Sequence, residues 1–527
     1  MAPLEKGPSA TAEPQDDIAA GSISEIPAAE HNNKGLLDSY DLKKIDRAAE
    51  FLANNGPYPR MTPEQEKKIL KKVDAWLIPT LMFMATLSAI DKVELATAAL
   101  YGFSTDNGLH GQQYSWCSSI LSIGMIVGTF PMTYVVHRLP TAKTIACCSV
   151  LWSTMTLLMS IQSGFAGIMT LRFFMGFFES IISPGYLLIV GNFWKSREQP
   201  WRLAIISSAT SSVFNGFWSW VVGQIPEDAP LQRWQYLFLI TGSINVCYSI
   251  YLYFYLPDSP MNAHFLTQEE KWHAIKRVAD NKIGIENHTW KWSQALETVV
   301  DAKFWLQFFF NIAINISNGA LINFSPIIVK GLGYSSQTSS LLGMPNGVLS
   351  SISSVIFCYL AGRWTNRRCL CVIIACIPPL VGTVLVYALP RSNMVAQMFG
   401  LYLMYFYWGP YATAQTLPVA NTAGHTKRAV TYSMLHVGYG VGNMIGPQTF
   451  RENQAPRYTG GIIASLVTFC ASAGFMGLYW IVAAWQNKAK DNKYGTVPEL
   501  DTEEVDVLVH EYLDKTDVEQ EYFRYTT

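Results

Sequence analysis

A few ionisable residues lie inside long apolar segments, where they could bind and transfer protons. Asp91, Lys92 and Glu94 fall within four positions of one segment, and Glu179 lies in another with Arg172 seven residues before it. A charged side chain at bilayer depth is costly unless it is paired or hydrated. Because three carboxylates face only two cations, one carboxylate lacks a fixed cation and binds a proton more readily than it would in water. The pattern predicts proton coupling by Asp91, Glu94 and Glu179.

Lys92 is the natural cation for an anionic substrate, because its ammonium group is a compact point charge. The alternative is that the charged residues form structural ion pairs that lock the first helix to the fourth, with Arg172 in a structural or gating role.

Pro184 interrupts the fourth segment just beyond Glu179, and Pro345 interrupts the eighth. Backbone groups freed by such breaks are tolerated in lipid only where they face protein or a water-filled cavity. The breaks indicate a cavity near the midplane, with a packing kink as the alternative for Pro345.

The seventh apolar segment is unusually rich in asparagine. Asn311, Asn315 and Asn318 follow one another at spacings of four and three, so they share one face of a helix. They could contact substrate along a polar route or form hydrogen bonds to neighbouring helices, and both interpretations stay open. In the tenth segment, Tyr405 and Trp408 lie toward the middle of the span. They are the better aromatic candidates for a cavity wall.

Three glycines in the eleventh segment recur at four-residue spacing. Gly438, Gly442 and Gly446 form a stripe of small residues along one helical face. Such a stripe lets two helix backbones approach closely and slide past one another. Its predicted role is therefore structural or gating, without a substrate contact.

The segments that position these residues dominate the chain. Half of the 527 residues are hydrophobic and only 15% are charged, and the mean hydropathy is positive. Apolar segments of about twenty residues, the length that crosses a bilayer, recur twelve times in two groups of six. The sequence predicts an all-α membrane protein with twelve transmembrane helices in two six-helix lobes. The expected divisions are an amino-terminal tail (1–73), a first lobe (74–256), a central loop (257–302), a second lobe (303–486) and a carboxy-terminal tail (487–527).

Charge and cysteine usage exclude several other classes. A net charge of −1 leaves no basic face to neutralise a nucleic-acid backbone. The nine cysteines lack the paired spacing of a zinc or redox site, and no nucleophile has a neighbouring base, so neither a metal nor an enzymatic activity is predicted. Lys and Arg cluster in the loops after even-numbered helices. These loops and both termini are therefore expected in the cytoplasm.

Several stretches resemble the allantoate permease branch of the anion:cation symporters, a fungal group within the major facilitator superfamily. They include LPDSPMNAHFLTQEE (256–270), VANTAGHTKRA (419–429), GYGVGNMIGPQTF (438–450) and DKTDVEQEYFRY (514–525). The resemblance implies proton-coupled uptake of a small organic anion such as a carboxylate, vitamin, ureide or short peptide. It implies a plasma-membrane carrier, acting as a monomer, that needs no cofactor beyond the coupled proton.

The resemblance also implies roles for particular residues. The family pairs an acidic with a basic residue on the first helix and adds a glutamate on the fourth, positions that match Asp91, Lys92 and Glu179. Lys92 stands where the family mostly has arginine, and Glu94 where it mostly has asparagine, so the departures bear on the substrate more than on the mechanism. An efflux carrier and a non-transporting nutrient sensor on the same fold are the alternative functions.

Overall fold

The first spanning helix begins at a capping box. In the computed structural model, α1 (Pro63–Ala99) starts where the Thr62 hydroxyl accepts from the Gln65 amide nitrogen at 3.3 Å and the Gln65 side chain accepts from the Thr62 amide nitrogen at 2.9 Å. This reciprocal pair satisfies amide groups that lack partners within the helix. The structure describes residues 51, 55, 58–59, 61–195, 198–206, 211–226, 228–281, 291–364, 366–495 and 515–527. Residues 1–50 of the predicted amino-terminal tail lie outside this set.

Eleven further spans follow α1, and several of them are built from two or more helical pieces. They are α2 (Gln113–Arg138), α3 (Thr141–Met159), α4 (Phe165–Glu179 and Ile182–Phe193), α5 (Gln199–Ile206 and Ser211–Gly223), α6 (Arg233–Tyr255), α7 (Ala302–Gly331), α8 (Ser336–Gly343 and Pro345–Arg363), α9 (Arg368–Ala375 and Ile377–Ala388), α10 (Met394–Met404, the 3-10 turn Tyr405–Tyr407, Trp408–Ala414 and Thr416–Asn421), α11 (His425–Gln448) and α12 (Thr459–Tyr494).

Nine of the spans in the described part of the chain are long and apolar enough to cross a membrane by length and composition. The other three are α5 and α10, whose described pieces are short, and α11, which is rich in glycine and polar residues. The predicted fold class, twelve transmembrane helices in two lobes, is confirmed. Residues 55–527 form one compact unit, while the unit made of residues 1–54 is described only at Phe51.

Each lobe packs around its own apolar interior. In the first lobe, α1–α6 bury residues such as Ile189 and Phe238, and in the second, α7–α12 bury Phe310 and Phe469. The connection between the lobes contains two short helices, Gln268–Asn281 and Trp292–Val300. Each short helix is tied to a different lobe by ion pairs. Arg277 Nε lies 2.6 Å from Glu66 Oε1 of α1, and Lys427 Nζ of α11 lies 2.8 Å from Glu297 Oε1.

The glycine stripe of α11 packs against α7. A Cβ atom added to Gly442 would lie 2.6 Å from the carbonyl oxygen of Ile312, and one added to Gly438 would lie 3.2 Å from the Phe308 ring. Gly446 is similarly close to the carbonyl oxygen of Ile316. The three glycines therefore meet successive turns of α7. This is the close backbone approach that their spacing predicts.

We expect Gly442→Ala to destabilise the protein by about 1–3 kcal/mol, because the added methyl group has to push α7 and α11 apart. Gly474 of α12 is the matched control, since a Cβ atom there would meet nothing within 4 Å. Gly474→Ala should be neutral or stabilising by up to about 1 kcal/mol. Thermal denaturation of the purified full-length variants measures both effects, and equal melting temperatures would contradict the packing role.

The two lobes are joined by hydrogen bonds at one end of the bundle, where α1, α5, α7 and α11 finish. We call this end the distal interface, because α1 begins and the last described residues lie at the other. Most of its acceptors are main-chain carbonyl groups. The bonds run from Lys330 Nζ to Leu100 O (2.7 Å), Ser336 Oγ to Leu100 O (2.8 Å), Gln337 Nε2 to Gly223 O (2.5 Å), Tyr114 Oη to Asn323 O (3.0 Å), Ser115 Oγ to Phe450 O (3.3 Å) and Ser119 Oγ to Met444 O (2.7 Å).

The last described segment, residues 515–527, is bound against the second lobe, and we call it the carboxy-terminal strap. Asp517 is fully buried and lies 2.7 Å from Lys427 Nζ. Tyr525 donates its hydroxyl to Asp517 Oδ2 at 2.9 Å, and Asn421 bonds the backbone of Thr526 as donor and as acceptor. Burial and the neighbouring Asp517 carboxylate raise the pKa of Tyr525, so its hydroxyl remains a donor at neutral pH. The strap is thus an integral part of the second lobe.

Candidate functional site

Lys92 and Glu179 form an ion pair between α1 and α4. Lys92 Nζ lies 3.0 Å from Glu179 Oε1, and the Glu179 side chain is only 2% exposed whereas that of Lys92 is 24% exposed. The Ser88 hydroxyl, one turn before Lys92, also donates to Glu179 Oε1. The carboxylate is therefore held inside the first lobe. The Lys92 side chain, by contrast, is partly exposed.

Asp91 points away from Lys92 and into the interior of the first lobe. Its Oδ2 accepts from Trp152 Nε1 of α3 at 2.6 Å, and Asn245 Nδ2 of α6 lies 3.3 Å from the same oxygen. Asp91 is fully buried. Its donors are neutral, and among the described residues it has no ion-pair contact. Such a carboxylate can be neutralised by a proton without breaking a salt bridge.

Glu94 and Arg172 are also fully buried in the first lobe. Glu94 Oε1 accepts from the Thr241 hydroxyl at 2.5 Å, and Arg172 Nε donates to the Cys117 carbonyl oxygen at 2.7 Å. Within the described residues, Glu94 Oε2 and Arg172 Nη1 have no hydrogen-bond partner. All five predicted ionisable residues thus lie in the first lobe, but only Lys92 and Glu179 form a direct pair.

A polar cavity opens beside the ion pair and is lined by both lobes. We call it the central cavity. Lys92 and Arg172 contribute its two cationic groups, and Ile322 of α7 forms part of its wall. Its polar lining is completed by Ser118, Ser122, Asn323, Tyr439 and Asn443. Two cations and several neutral hydrogen-bonding groups suit an organic anion.

The predicted asparagine face of α7 lies in the packed interior of the second lobe. Asn311 Nδ2 donates to the carbonyl oxygen of Leu435 at 2.5 Å, and Asn315 Nδ2 donates to Asn311 O at 2.7 Å. Asn318 Nδ2 bonds Asn443 Oδ1 at 3.1 Å, and Tyr407 donates its hydroxyl to Asn318 Oδ1. None of the three is among the lining residues of the central cavity. Their geometry favours bonding between helices over contact with substrate.

The aromatic candidates of α10 separate in the structure. Tyr405 lines a second cavity, between α1, α5, α7, α8 and α10, and donates its hydroxyl to the Leu321 carbonyl oxygen at 3.3 Å. Trp408 stacks at a tilt on Tyr411 with ring centroids 4.8 Å apart, and it lines neither described cavity. Of the two residues, Tyr405 is therefore the one placed to face a ligand.

The predicted backbone breaks are present. The first helical piece of α4 ends at Glu179 and the second begins at Ile182, so Pro184 lies in the first turn of the second piece. In α8, the break falls at Met344, directly before Pro345. The α4 break follows immediately after the Glu179 carboxylate. It therefore lies at the ion pair itself.

Sequence reasoning missed the neutral residues that hold the carboxylates. Trp152 and Asn245 were not distinguished from packing residues in apolar helices, although a tryptophan far from the membrane interface needs a partner for its N–H group. Thr241 carried no signal, because threonine often bonds its own helix. Tyr439 and Asn443 flank the glycine stripe of α11, and their place on the cavity wall follows from the rotation of that helix. The described residues contain no group of three or more His, Cys, Asp or Glu side chains that could hold a metal ion.

Comparisons with known proteins agree with this architecture. Residues 81–447 match the model of the Major Facilitator Superfamily. The chain is 34% identical to the MFS-type transporter cnsL of Penicillium expansum over 92% of this chain and 94% of that protein. It is 29% identical to allantoate permease of Saccharomyces cerevisiae, over 92% and 91% of the two chains.

Solved structures show the same fold at low sequence identity. The inward-open xylose transporter XylE from E. coli aligns with a TM-score of 0.55 at 13% identity, over 76% of this chain and 96% of that one. A bacterial homologue of the human lysosomal transporter Spinster aligns with a TM-score of 0.56 at 15% identity, over 77% and 97%. The chain is a multi-pass membrane transporter that belongs to the major facilitator superfamily, and its fungal relatives include allantoate permease.

Proposed function

We propose that this transporter couples the uptake of a small organic anion to protons by alternating access. The observation that carries the proposal is the ion pair between Glu179 and Lys92, of which Lys92 lines the central cavity. A single ammonium group there can neutralise either the Glu179 carboxylate or an anion in the cavity. A proton on Glu179 frees Lys92 for the substrate, so the two ligands favour each other's binding.

This competition gives the direction of coupling. When Glu179 is ionised, its carboxylate at 3.0 Å occupies Lys92, and an incoming anion meets a neutralised pair. When Glu179 is protonated, the full positive charge of Lys92 faces the cavity. Proton and anion therefore bind together and cross together, which is symport. Asp91 and Glu94 contribute two further carboxylates to the same lobe and are secondary candidates for the proton.

Arg172 adds a second cation to the cavity wall, and its buried guanidinium supports binding of an anion there. One relative is named for allantoate, an organic anion, and another is a thiamine pathway transporter of Saccharomyces cerevisiae, 28% identical over 88% of this chain. These names support a small organic substrate. We also propose that the transporter acts as a monomer in the plasma membrane. Both tails and the central loop then lie in the cytoplasm, and the domain divisions are those given above.

The charge of Lys92 tests the substrate part of the proposal. Lys92→Gln should raise the half-saturation concentration for an anionic substrate by about 10–100-fold, because a charge-assisted contact is lost, whereas Lys92→Arg should retain most of the affinity. The measurement uses the full-length protein in vesicles with an internal pH dye. Proton entry is recorded as a panel of carboxylates, ureides, vitamins and dipeptides is added.

Lys493→Gln is the control, since Lys493 is exposed at the end of α12. Normal affinity of Lys92→Gln for an anion would rule out Lys92 as the substrate cation. Substrate entry without proton entry in the unaltered protein would rule out symport.

A further inference from the structure

A second cavity lies between the lobes on the distal side of the central cavity, and we call it the distal cavity. Its walls include Thr97 of α1, Asn215 of α5, Ile322 of α7, Ser339 and Asn346 of α8, and Tyr405 of α10. Among the described residues, none of those that line it is charged at neutral pH. It therefore differs in chemistry from the central cavity, which has two cationic groups in its wall.

Asn215, in the wall of the distal cavity, carries a buried acceptor. Its Nδ2 donates to Thr97 Oγ1 at 2.7 Å, and the Thr97 hydroxyl itself donates to the Val93 carbonyl oxygen at 3.3 Å. Because the Thr97 proton is used in that bond, its oxygen has to accept, which fixes the orientation of the Asn215 amide. Asn215 is 4% exposed, and in the part of the chain described its Oδ1 has no hydrogen-bond partner.

The opposite lobe presents a second group of the same kind. Ser339 is 1% exposed, and its hydroxyl has no partner within the described residues. Buried polar atoms are almost always hydrogen-bonded to protein, water or ligand. An acceptor from one lobe and a hydroxyl from the other, on two residues that line one cavity, can both be satisfied by a ligand group that takes the place of water between them. Ser219 and Ser340, whose hydroxyl oxygens are 2.6 Å apart, join the lobes beside it.

The two cavities share a wall. Ile322 lines both, and Val93, the residue directly after Lys92 in α1, lines the distal cavity. Thr97, farther along the same wall, lies five positions from Lys92, or about 7.5 Å of helix. We infer that the distal cavity is a second binding subsite, which takes an uncharged hydrogen-bonding group, such as a carboxamide, of a substrate whose anionic end is held at Lys92. This inference rests on the proposed function for the anionic end only.

Two probe compounds of equal charge and similar shape test the subsite. Glutaramate carries a carboxamide at the end of a five-carbon carboxylate, and 5-methylhexanoate replaces that carboxamide with an isopropyl group. Calorimetric binding to the purified full-length protein should show glutaramate binding about tenfold more tightly, because two otherwise unpaired groups gain partners. Hydrophobic transfer alone would favour the opposite order.

Two variants test whether Asn215 and Ser339 cause the preference for glutaramate. Asn215→Leu and Ser339→Ala should each reduce the ratio of the two affinities toward one by weakening glutaramate only. Ser339→Ala removes a hydroxyl without a described partner and so should fold normally, even if Asn215→Leu does not. Ser472→Ala, at a buried serine of α12 that bonds the Thr468 carbonyl oxygen, is the control and should leave the ratio unchanged.

Equal affinities of the unaltered protein for the two compounds, or no binding of glutaramate, would overturn the subsite. Equal weakening of both compounds by Ser339→Ala would overturn it as well. Lys92→Gln separates this inference from the proposed function, because it should weaken both compounds alike. If it weakens neither while the carboxamide preference persists, the anion site is wrong and the subsite stands.

Discussion

Glu179→Gln is expected to abolish uphill, pH-driven accumulation of substrate while exchange of substrate across the membrane continues. Glutamine keeps the shape of the side chain and can still accept from Ser88, but it cannot release or take up a proton. Lys92 would then lack its carboxylate partner at every pH and remain available to the anion. Substrate binding should therefore become nearly independent of pH, whereas in the unaltered protein it should strengthen as the proton concentration rises.

Two transport assays of the same variant are compared. Uptake into vesicles under an inward proton gradient should fall to the equilibrium level in Glu179→Gln, and counterflow at equal pH should retain at least about a tenth of its rate, since the substrate contacts are intact. Glu94→Gln is the comparison variant, because Glu94 is equally buried and bonds Thr241 without an ion pair to Lys92. If Glu179 carries the proton, Glu94→Gln should retain uphill accumulation. Accumulation by Glu179→Gln would show that another carboxylate carries the proton, with Asp91 or Glu94 next in line.

Asp517→Ala is expected to destabilise the protein strongly. Asp517 is fully buried, lies 2.7 Å from Lys427 Nζ and accepts from the Tyr525 hydroxyl. Removing one partner of a buried pair leaves the other charge less compensated, which costs about 3–5 kcal/mol in other proteins. Glu297 and Asp301 still lie near Lys427, so we expect a loss of about 3 kcal/mol.

Asp491 provides the comparison within the same region. It pairs with Arg524 of the strap at 2.7 Å, but its side chain is 44% exposed, so Asp491→Ala should cost less than about 1 kcal/mol. Melting of the purified full-length proteins orders the variants, and Asp517→Asn, which keeps hydrogen-bonding atoms, should fall between the other two. If Asp517→Ala and Asp491→Ala melted alike, the strap would not contribute to the stability of the second lobe.

The sequence predicted the helices far better than their rotations. Hydropathy and length were sufficient for twelve spans, and Pro184 and Pro345 marked two breaks that the structure contains. The helical period placed Asp91 and Lys92 about 100° apart, but it could not say which of them faces α4. That depends on how α1 is rotated against its neighbours. The structure brings Lys92 to Glu179 and Asp91 to Trp152.

Two other features could not be predicted from the sequence. The face shared by Asn311 and Asn318 was visible, but its partners, Leu435 and Asn443, lie more than a hundred positions away. The carboxy-terminal strap is polar and short, so nothing in its hydropathy predicts burial. Its Asp517 is buried because Lys427 and Tyr525 supply the charge and the hydrogen bond that a carboxylate needs inside a protein.

The distal interface has a consequence for how this transporter can diverge. Its donors are side chains such as Lys330, Ser336 and Gln337, whereas Leu100 and Gly223 accept through main-chain carbonyl oxygens that almost any residue type would supply. These hydrogen bonds therefore constrain the donating side chains but not the side chains at the accepting positions. Packing is what constrains those positions, since Leu100 is 2% exposed and a Cβ atom at Gly223 would lie 2.6 Å from Gln337 Cγ. Related sequences should therefore keep the donating side chain of each hydrogen bond. These bonds require no correlated substitution at the position whose carbonyl oxygen accepts. Contact inference from paired substitutions should consequently understate how closely the two lobes meet at this end.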